Sequence, residues 1–416
     1  MYKRQNEEFK SRLTDHYPGY TEVDATTGTI GDVTVKWNIT PSDDMAYQNN
    51  LDAALLKQSD AADDDKIDIF LVEADYALKY VDTDYTMAVS DLGITDSDLS
   101  KQYQYTKDVV TDSNGVLKGV SWQGCPGVLF YNRDAAKAVL GSDDPAEVQN
   151  YVKDWDTFND TAKKMKDAGY TITSSVNDTY RVYSNNVSSK WVVDGKINID
   201  DNIMKWVDQT KTFTEKGYNN KSSLWDNVWQ ADQGPKGNVF GFFYSTWGIN
   251  FTLLGNALET PVKEGGREEV GNGIYGDYAV CQGPQSYYWG GTWICAAAGT
   301  DNPNLIKEIM QTMTCDKDTE VQITKDTQDY TNTISGMNEL ANSNFKSDFL
   351  GGQNHIKLFA EAAPKINMKN ISAYDQGLNE EFQKAMKDYF DGNVTKDKAL
   401  DNFYKAATEK YPNLTH

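Results

Sequence analysis

The feature that most constrains the fold is an alternation of short apolar segments with amphipathic segments in the first half of the chain. Residues 32–39 (DVTVKWNI) alternate in polarity, which predicts a strand, and residues 67–72 (IDIFLV) predict a buried strand. Residues 115–132 (GVLKGVSWQGCPGVLFYN) predict two further strands. Strand and helix following one another with short links predict an α/β fold with a largely parallel sheet.

Helix signals separate these strands. Asp43 or Asp44 is placed to cap a helix that follows it, and Asn132 or Asp134 is placed to begin another. A further predicted helix ends at Gly217, and the last third of the chain is mostly helical. At 416 residues the chain exceeds the size of a single hydrophobic core. We therefore expect two lobes, one from residues 1–130 and 288–325 and the other from residues 131–287 and 326–416.

The charge of the chain argues against one class of partner. Forty Lys and Arg residues against 62 Asp and Glu residues give a formal net charge of −22. Binding to a nucleic acid requires basic patches that neutralise phosphates, so we expect no nucleic-acid partner. No stretch approaches the roughly 20 apolar residues that cross a membrane.

The sequence offers little for catalysis or for metal binding. Its three histidines, His16, His355 and His416, are scattered, and the nucleophile, phosphate-binding and zinc-protease motifs are absent. A glycosidase needs only two carboxylates, so that alternative stays open. The four cysteines fit no metal spacing, and we expect no metal and no cofactor. A disulfide between Cys281 and Cys295 is an alternative to the buried free thiols that we favour.

Aromatic residues are the unusual part of the composition. The chain has 10 Trp, 25 Tyr and 15 Phe residues. Several lie beside glycines where predicted strands end, including Trp122, Trp247 and Trp289. The flat apolar face of such a ring matches the C–H face of a sugar, while neighbouring polar groups can bind its hydroxyls. We assign Trp155 and Trp206, which lie on apolar helix stripes, to the core.

Trp225 and Trp229 form a second aromatic pair in the segment SLWDNVWQ. Residues four apart lie on the same face of a helix, so the two rings would point the same way if this segment is helical.

The chain resembles the extracellular solute-binding proteins of ABC importers, in the carbohydrate-binding group that includes maltose-binding protein. Four segments carry the resemblance: IDIFLVEADY, GVLKGVSWQGCPGVLFYNRDAAKAVL, NVFGFFYSTWGI, and GDYAVCQGP with the following YYWGGTWICAAAGTDNPNLIKEIMQTMTCD. The closing helices also resemble the C-terminal segment of that family. The resemblance implies a two-lobed periplasmic-binding-protein-like clamp, each lobe a sheet flanked by helices.

The resemblance also implies a function and a set of ligand-binding residues. The protein would bind an extracellular sugar, an oligosaccharide, and deliver it as a monomer to the permease subunits of an ABC importer, without acting as an enzyme. The residues expected to bind the ligand are Asp43, Asp44, Glu73, Asp75, Trp122, Tyr180, Tyr183, Trp247, Trp289, Gly290, Tyr374 and Asp375. Asp43 and Asp44 can equally be a helix cap, and Glu73 can be a solvated loop carboxylate. A cationic or peptide ligand in the same clamp is the alternative, through cation–π contacts with the rings.

The first residues, MYKRQ, do not match the start expected of such a protein. Tyr2 to Gln5 is what TATAAGAGACAG encodes, the end of a common sequencing adapter. We therefore expect that the true start is missing, together with a lipoprotein-type signal and the first strand. The extracellular location, as a cell-surface lipoprotein or a periplasmic protein, follows from the resemblance alone.

Overall fold

The computed structural model describes residues 3–41 and 45–416, and these form two compact units. Unit 1 comprises Met1–Gly124 and Gly290–Met337, and unit 2 comprises Cys125–Trp289 and Asn338–His416. The sequence-based boundaries were residues 130, 287 and 325. The mixed α/β class expected from the sequence is confirmed.

Unit 1 contains two three-stranded sheets. One is an antiparallel meander of β1 (Tyr20–Asp24), β2 (Thr27–Ile30) and β3 (Val33–Lys36), which confirms the strand predicted within residues 32–39. The other has the order β4-β14-β5, formed by β4 (Ile69–Glu73), β5 (Val120–Ser121) and β14 (Thr292–Ala296). Its helices are α1 (Lys3–His16), α2 (Ala46–Leu55), α3 (Ala77–Val81), α4 (Gln104–Asp108), α12 (Pro303–Thr314) and α13 (Lys317–Thr327).

Unit 2 is built around one long strand, β6 (Pro126–Asn132), which pairs with β11 (Gly241–Ser245), β12 (Tyr278–Cys281) and β13 (Tyr287–Tyr288). The pairs β7 (Thr173–Ser175) with β10 (Asn219–Ser222), and β8 (Val192–Val193) with β9 (Lys196–Ile197), complete its strands. Its helices are α5 (Arg133–Leu140), α6 (Pro145–Val152), α7 (Trp155–Asp167), α8 (Tyr180–Ser184), α9 (Asp201–Lys216), α10 (Asn227–Ala231), α11 (Leu254–Ala257), α15 (His355–Ala362), α16 (Asp375–Phe390) and α17 (Lys396–Lys410), while α14 (Ile334–Ala341) contains the boundary at residue 337.

The prediction of a largely parallel sheet is wrong. Among the named strands of the described residues, only β7 and β10 pair in parallel, and every other pairing is antiparallel. Alternation of strands and helices predicts a parallel sheet only if successive strands lie side by side. Here β5 and β6, which follow each other in sequence, belong to different units, and their partners come from much later segments.

Local signals fixed several element ends as predicted. The Asn132 side chain accepts the Ala135 N–H at the start of α5, and the C-cap of α9 is Gly217, with a left-handed φ of 67°. Cys281 and Cys295 are buried free thiols, which confirms the favoured alternative. None of the helices in residues 3–41 and 45–416 has both the length and the apolar composition of a membrane span.

Candidate ligand-binding residues

In unit 1, candidate residues gather at one edge of the β4-β14-β5 sheet. Glu73, the last residue of β4, lies opposite Thr292, the first residue of β14, and Ser121 at the end of β5 lies opposite Trp293. Gly290 lies two residues before β14, and Trp122 directly follows β5. The register therefore brings these segments together although they are far apart in sequence.

A carboxylate turn forms at this edge. The Glu73 Oε2 accepts the backbone N–H of Asp75 at 2.9 Å, and the Glu73 residue is only 8% exposed. The Asp75 residue is half-buried. Across the sheet edge, Gly290 and Gly291 both have left-handed φ angles, of 87° and 93°. Only glycine adopts such a pair without strain, so the backbone that enters β14 depends on these two residues.

The Trp122 side chain lies in the hydrophobic core of unit 1. It is fully buried, and its ring stacks on that of Phe9 with the centroids 5.5 Å apart. This position uses the ring for packing, so we leave Trp122 out of the ligand surface proposed below.

In unit 2, a second set of candidates gathers at one edge of the sheet around β6. Ser245, the last residue of β11, and Tyr287 of β13 both lie opposite Gly127 near the start of β6. Trp247 follows β11 by two residues, and Trp289 directly follows β13. The Trp247 Nε1 donates to the Trp289 carbonyl at 2.8 Å, which ties the two strand ends together.

The two rings belong to a larger aromatic cluster, which we define by the residues Trp225, Trp229, Tyr244, Trp247, Phe251 and Trp289. Its ring centroids lie 5.0–6.3 Å apart in the contacting pairs, the range of direct aromatic contact. Trp289 stacks face to face on Tyr244 at an angle of 11°. Trp229 and Tyr244 are fully buried, whereas Trp225, Trp247 and Phe251 are half-buried and form the accessible side of the cluster.

Trp225 differs from the prediction for its segment. The helix α10 begins only at Asn227, and Trp225 precedes it with a left-handed φ of 74°. Its ring nevertheless contacts that of Trp229 at 5.0 Å, so the two rings meet through the turn and not through a shared helix face.

A buried carboxylate, that of Asp178, contacts the buried side of the cluster. The Asp178 Oδ1 accepts the Trp229 Nε1–H at 2.9 Å, and its Oδ2 accepts the N–H groups of Ser174 and Ser175 at 2.9 and 2.6 Å. Burial raises the pKa of Asp178 to about 6, although these N–H donors favour the charged form. Asp178 thereby fixes the orientation of the Trp229 indole.

A positive charge lies beside the cluster. The guanidinium carbon of Arg181 is 6.0 Å from the Trp289 ring centroid, within the range of a cation–π contact. Arg181 is half-buried on α8. The accessible rings and a guanidinium therefore share one region of unit 2.

Tyr180 and Tyr183, also on α8, are 1% and 3% exposed and lie in a hydrophobic core of unit 2. Tyr183 stacks on Trp155 at 4.2 Å, and Tyr180 meets the edge of Trp206 at 4.7 Å. Trp206 is fully buried, which confirms its assignment to the core. The two tyrosines pack the helix, and we leave them out of the proposed ligand surface.

The remaining predicted residues lie elsewhere. Tyr374 caps the start of α16, where its ring meets that of Tyr411 at 5.1 Å and its hydroxyl accepts from Asn413 at 3.0 Å. Asp375 accepts the Ser372 hydroxyl at 2.5 Å. The predicted Asp43 and Asp44 lie outside the described residues.

Sequence reasoning missed Arg181 and Asp178 and did not select Trp225. A glycine beside a strand end does not identify Trp225, because here the tryptophan itself adopts the left-handed conformation that glycine favours. The segment SLWDNVW does indicate that Trp225 lies outside the helix, since the Asp that follows it is a good helix cap.

The chain is similar to proteins of one bacterial family. The family model described as "Bacterial extracellular solute-binding protein" matches residues 23–349. A search of curated proteins finds no match to the chain. A solved structure of an extracellular solute-binding protein family 1 is 18% identical, with a TM-score of 0.72, and the match covers 87% of this chain and 90% of that one.

Two further solved structures are ABC-transporter binding proteins. One, from B. animalis subsp. lactis Bl-04 in complex with β-1,6-galactobiose, is 14% identical with a TM-score of 0.70, covering 100% of this chain and 97% of that one. The other, from Bifidobacterium longum in complex with lacto-N-biose, is 15% identical with a TM-score of 0.66, covering 92% and 90%. At these identities the likeness shows the fold.

Proposed function

We infer the function from one premise: this chain belongs to the family of bacterial extracellular solute-binding proteins. We propose that its solute is a sugar, specifically an oligosaccharide, which it delivers to an ABC importer. Binding of a carbohydrate is also what the titles of the structurally similar proteins from B. animalis subsp. lactis and Bifidobacterium longum state for those proteins.

The observation that carries the proposal is the aromatic cluster of unit 2. Its half-buried rings, those of Trp225, Trp247 and Phe251, leave flat apolar surface accessible at the end of a strand. Its buried rings hold that surface in place, since Trp289 stacks on Tyr244 and accepts a hydrogen bond from Trp247. A preformed aromatic surface of this kind suits the C–H face of a pyranose.

Arg181 favours a sugar over a cationic ligand. The Arg181 guanidinium lies against the Trp289 ring, so this chain itself already makes the cation–π contact that a cationic ligand would need there. A neutral sugar does not depend on that contact, and its hydroxyls can accept hydrogen bonds from a guanidinium. The negative net charge of the whole chain acts on solubility and does not select the ligand.

We propose separate roles for the two sets of residues. Trp247 supplies a stacking face and Trp289 fixes its position in unit 2. In unit 1, Glu73 and Asp75 accept hydrogen bonds from sugar hydroxyls, and Gly290 allows the backbone to approach the ligand. Asp43, Asp44, Tyr374 and Asp375 are proposed as further polar contacts.

We further propose that the protein acts outside the cell as a monomer, attached as a lipoprotein or free in the periplasm, and that it binds without chemical conversion. Once it has bound the sugar, the protein contacts the permease subunits of an ABC importer, a role that fits a solute-binding family.

A thermal-shift screen tests the proposal. A ligand that binds the folded state raises the apparent melting temperature, and the shift grows with the logarithm of the ligand concentration relative to Kd. We expect a shift with at least one of β-1,6-galactobiose, lacto-N-biose or maltose, and none with spermidine or a tripeptide. A shift with spermidine or the tripeptide alone would overturn the choice of a carbohydrate. Recovery of the sugar unchanged after overnight incubation would separate binding from glycosidase activity.

A further inference from the structure

Trp225 has a backbone conformation that its side chain disfavours. Its φ of 74° lies in the left-handed region, where the Cβ of an L-residue crowds the following carbonyl. Within the described residues, the other non-glycine residues with positive φ are Met45, Cys125, Asp194, Lys221 and Gln328, so Trp225 is the one aromatic residue among them. A strained residue that persists must be held by its surroundings.

The turn around Trp225 is held by hydrogen bonds that do not involve the ring. The Gln230 side chain donates to the Trp225 carbonyl at 3.0 Å. Asp226 accepts the N–H groups of both Ser223 and Trp229 at 2.8 Å. A glycine at position 225 would allow the same turn without strain, so the turn alone does not explain a tryptophan there.

The Trp225 ring extends the accessible side of the aromatic cluster. It lies nearly parallel to the Trp247 ring, at 28° with the centroids 6.3 Å apart, and contacts Phe251 at 5.5 Å. These distances are those of direct ring contact, so they leave no room for a sugar between the rings. A ligand must therefore bind on the outer surface, where both Trp225 and Trp247 are half-buried.

We propose that Trp225 is a second carbohydrate-stacking residue that selects ligands with two or more sugar rings over single sugars. The inference rests on the proposed function, and it adds the residue that sets the minimum length of the ligand. One sugar ring contacts Trp247, and the adjoining ring contacts Trp225. The strained turn keeps the second ring in position before the ligand arrives, which lowers the entropy lost on binding.

Trp225→Gly tests this with little effect on the backbone, because glycine adopts the left-handed turn freely. The matched control is Lys221→Gly, which relieves a φ of 59° at an exposed residue outside the cluster. Calorimetric titration would use two pairs of probes, galactose with β-1,6-galactobiose and glucose with maltose.

We expect Trp225→Gly to weaken disaccharide binding by about tenfold and to leave monosaccharide binding within about twofold. Lys221→Gly should change neither value. An unchanged ratio of the two affinities, or tighter binding of both sugars, would overturn the inference while leaving the proposed function standing. Failure of the wild-type protein to bind any of β-1,6-galactobiose, maltose and lacto-N-biose would overturn both.

Two further variants distinguish the loss of the Trp225 ring from a general loss of structure. Trp225→Phe retains a smaller flat ring and should keep most of the preference for the disaccharide. Trp225→Ala removes the ring but pays the left-handed strain, so it should melt below Trp225→Gly and show the same loss of preference. If Trp225→Ala instead kept the preference, the ring would have only a packing role.

Discussion

The two units carry chemically different groups at corresponding places, the ends of their sheet strands. In unit 1 the edge near β4 and β14 carries the Glu73 and Asp75 carboxylates, while the nearby Trp122 ring is turned into the core. In unit 2 the edge near β11 and β13 carries the accessible rings of the aromatic cluster.

The difference shows that a tryptophan after a strand is not by itself a sign of ligand binding. Trp122 and Trp247 both follow strands within two residues, yet Trp122 is fully buried and Trp247 is half-buried. The two rings differ in their neighbours. Phe9 of the first helix covers Trp122, whereas two of the rings that contact Trp247, those of Trp225 and Phe251, remain accessible. Substitutions in unit 1 can therefore test the proposed polar contacts, and substitutions in unit 2 can test the proposed stacking contacts.

The largest effect should come from removing the stacking face in unit 2. Trp247→Ala deletes the ring that contacts Trp225, Tyr244, Phe251 and Trp289, and we expect carbohydrate affinity to fall by about a hundredfold or more. Calorimetric titration of the purified variant measures the loss.

The matched control lies in unit 1. Trp37 is also half-buried, and its Nε1 donates to the Tyr20 hydroxyl at 2.8 Å on the β1-β2-β3 sheet. Trp37→Ala should lower stability but leave affinity unchanged. Equal affinities for Trp247→Ala and the wild type would refute the assignment of stacking to unit 2.

A smaller loss is expected from the polar edge of unit 1. Glu73→Gln keeps the shape of the side chain and its hydrogen bond from the Asp75 N–H but removes the charge. Because charge-assisted hydrogen bonds are roughly twice as strong as neutral ones, we expect affinity to fall by about tenfold. An exposed carboxylate of the same unit, Asp64, provides the control through Asp64→Asn. A loss no larger than that of Asp64→Asn would remove Glu73 from the ligand contacts.

Much of the fold was predictable because its signals are local. Residues 33–36 alternate in polarity and form a strand, and Asn132 starts α5 with its own side chain. Strand pairing was not predictable in the same way. The partner of Glu73 is Thr292, over 200 residues later, and no local pattern encodes so distant a register.

The candidate residues follow the same rule. Trp247 could be selected from the sequence because a glycine and a strand end adjoin it. The burial of Trp122 and Tyr183 could not, because it depends on the contacts of Phe9 and Trp155, which come from distant segments. The role of Asp178 depends on one hydrogen bond to Trp229, 51 residues away.

Gly290→Ala separates backbone strain from ligand contact. A Cβ at a φ of 87° costs about 1–2 kcal/mol, so the unfolding free energy should fall by that amount. Gly19 has a φ of 86°, and an added Cβ would meet no atom within 4 Å, so Gly19→Ala should cost a similar amount. Denaturant unfolding measures both variants. Only Gly290→Ala should also weaken sugar binding, and equal affinities for the two variants would place Gly290 outside the ligand surface.

The smallest expected effect is on the unfolding free energy and comes from the buried carboxyl group of Asp178, which accepts a hydrogen bond from the Trp229 indole of the aromatic cluster. Its pKa is about 6 in the folded protein and 3.8 in its ordinary state, so between these values the folded chain holds a proton that the unfolded chain has released. The stability that this group contributes is therefore complete below its ordinary pKa and is lost as the pH rises through about 6.

The variant Asp178→Asn tests this, because its amide side chain cannot titrate. The difference in unfolding free energy, wild type minus variant, should increase by about 1 kcal/mol when the pH is lowered from 7 to 5. Urea unfolding at both pH values measures it. A difference that stays constant would mean that the N–H groups of Ser174, Ser175 and Trp229 keep the carboxylate charged across this range, and that the Trp229 indole is anchored by a full negative charge at both pH values.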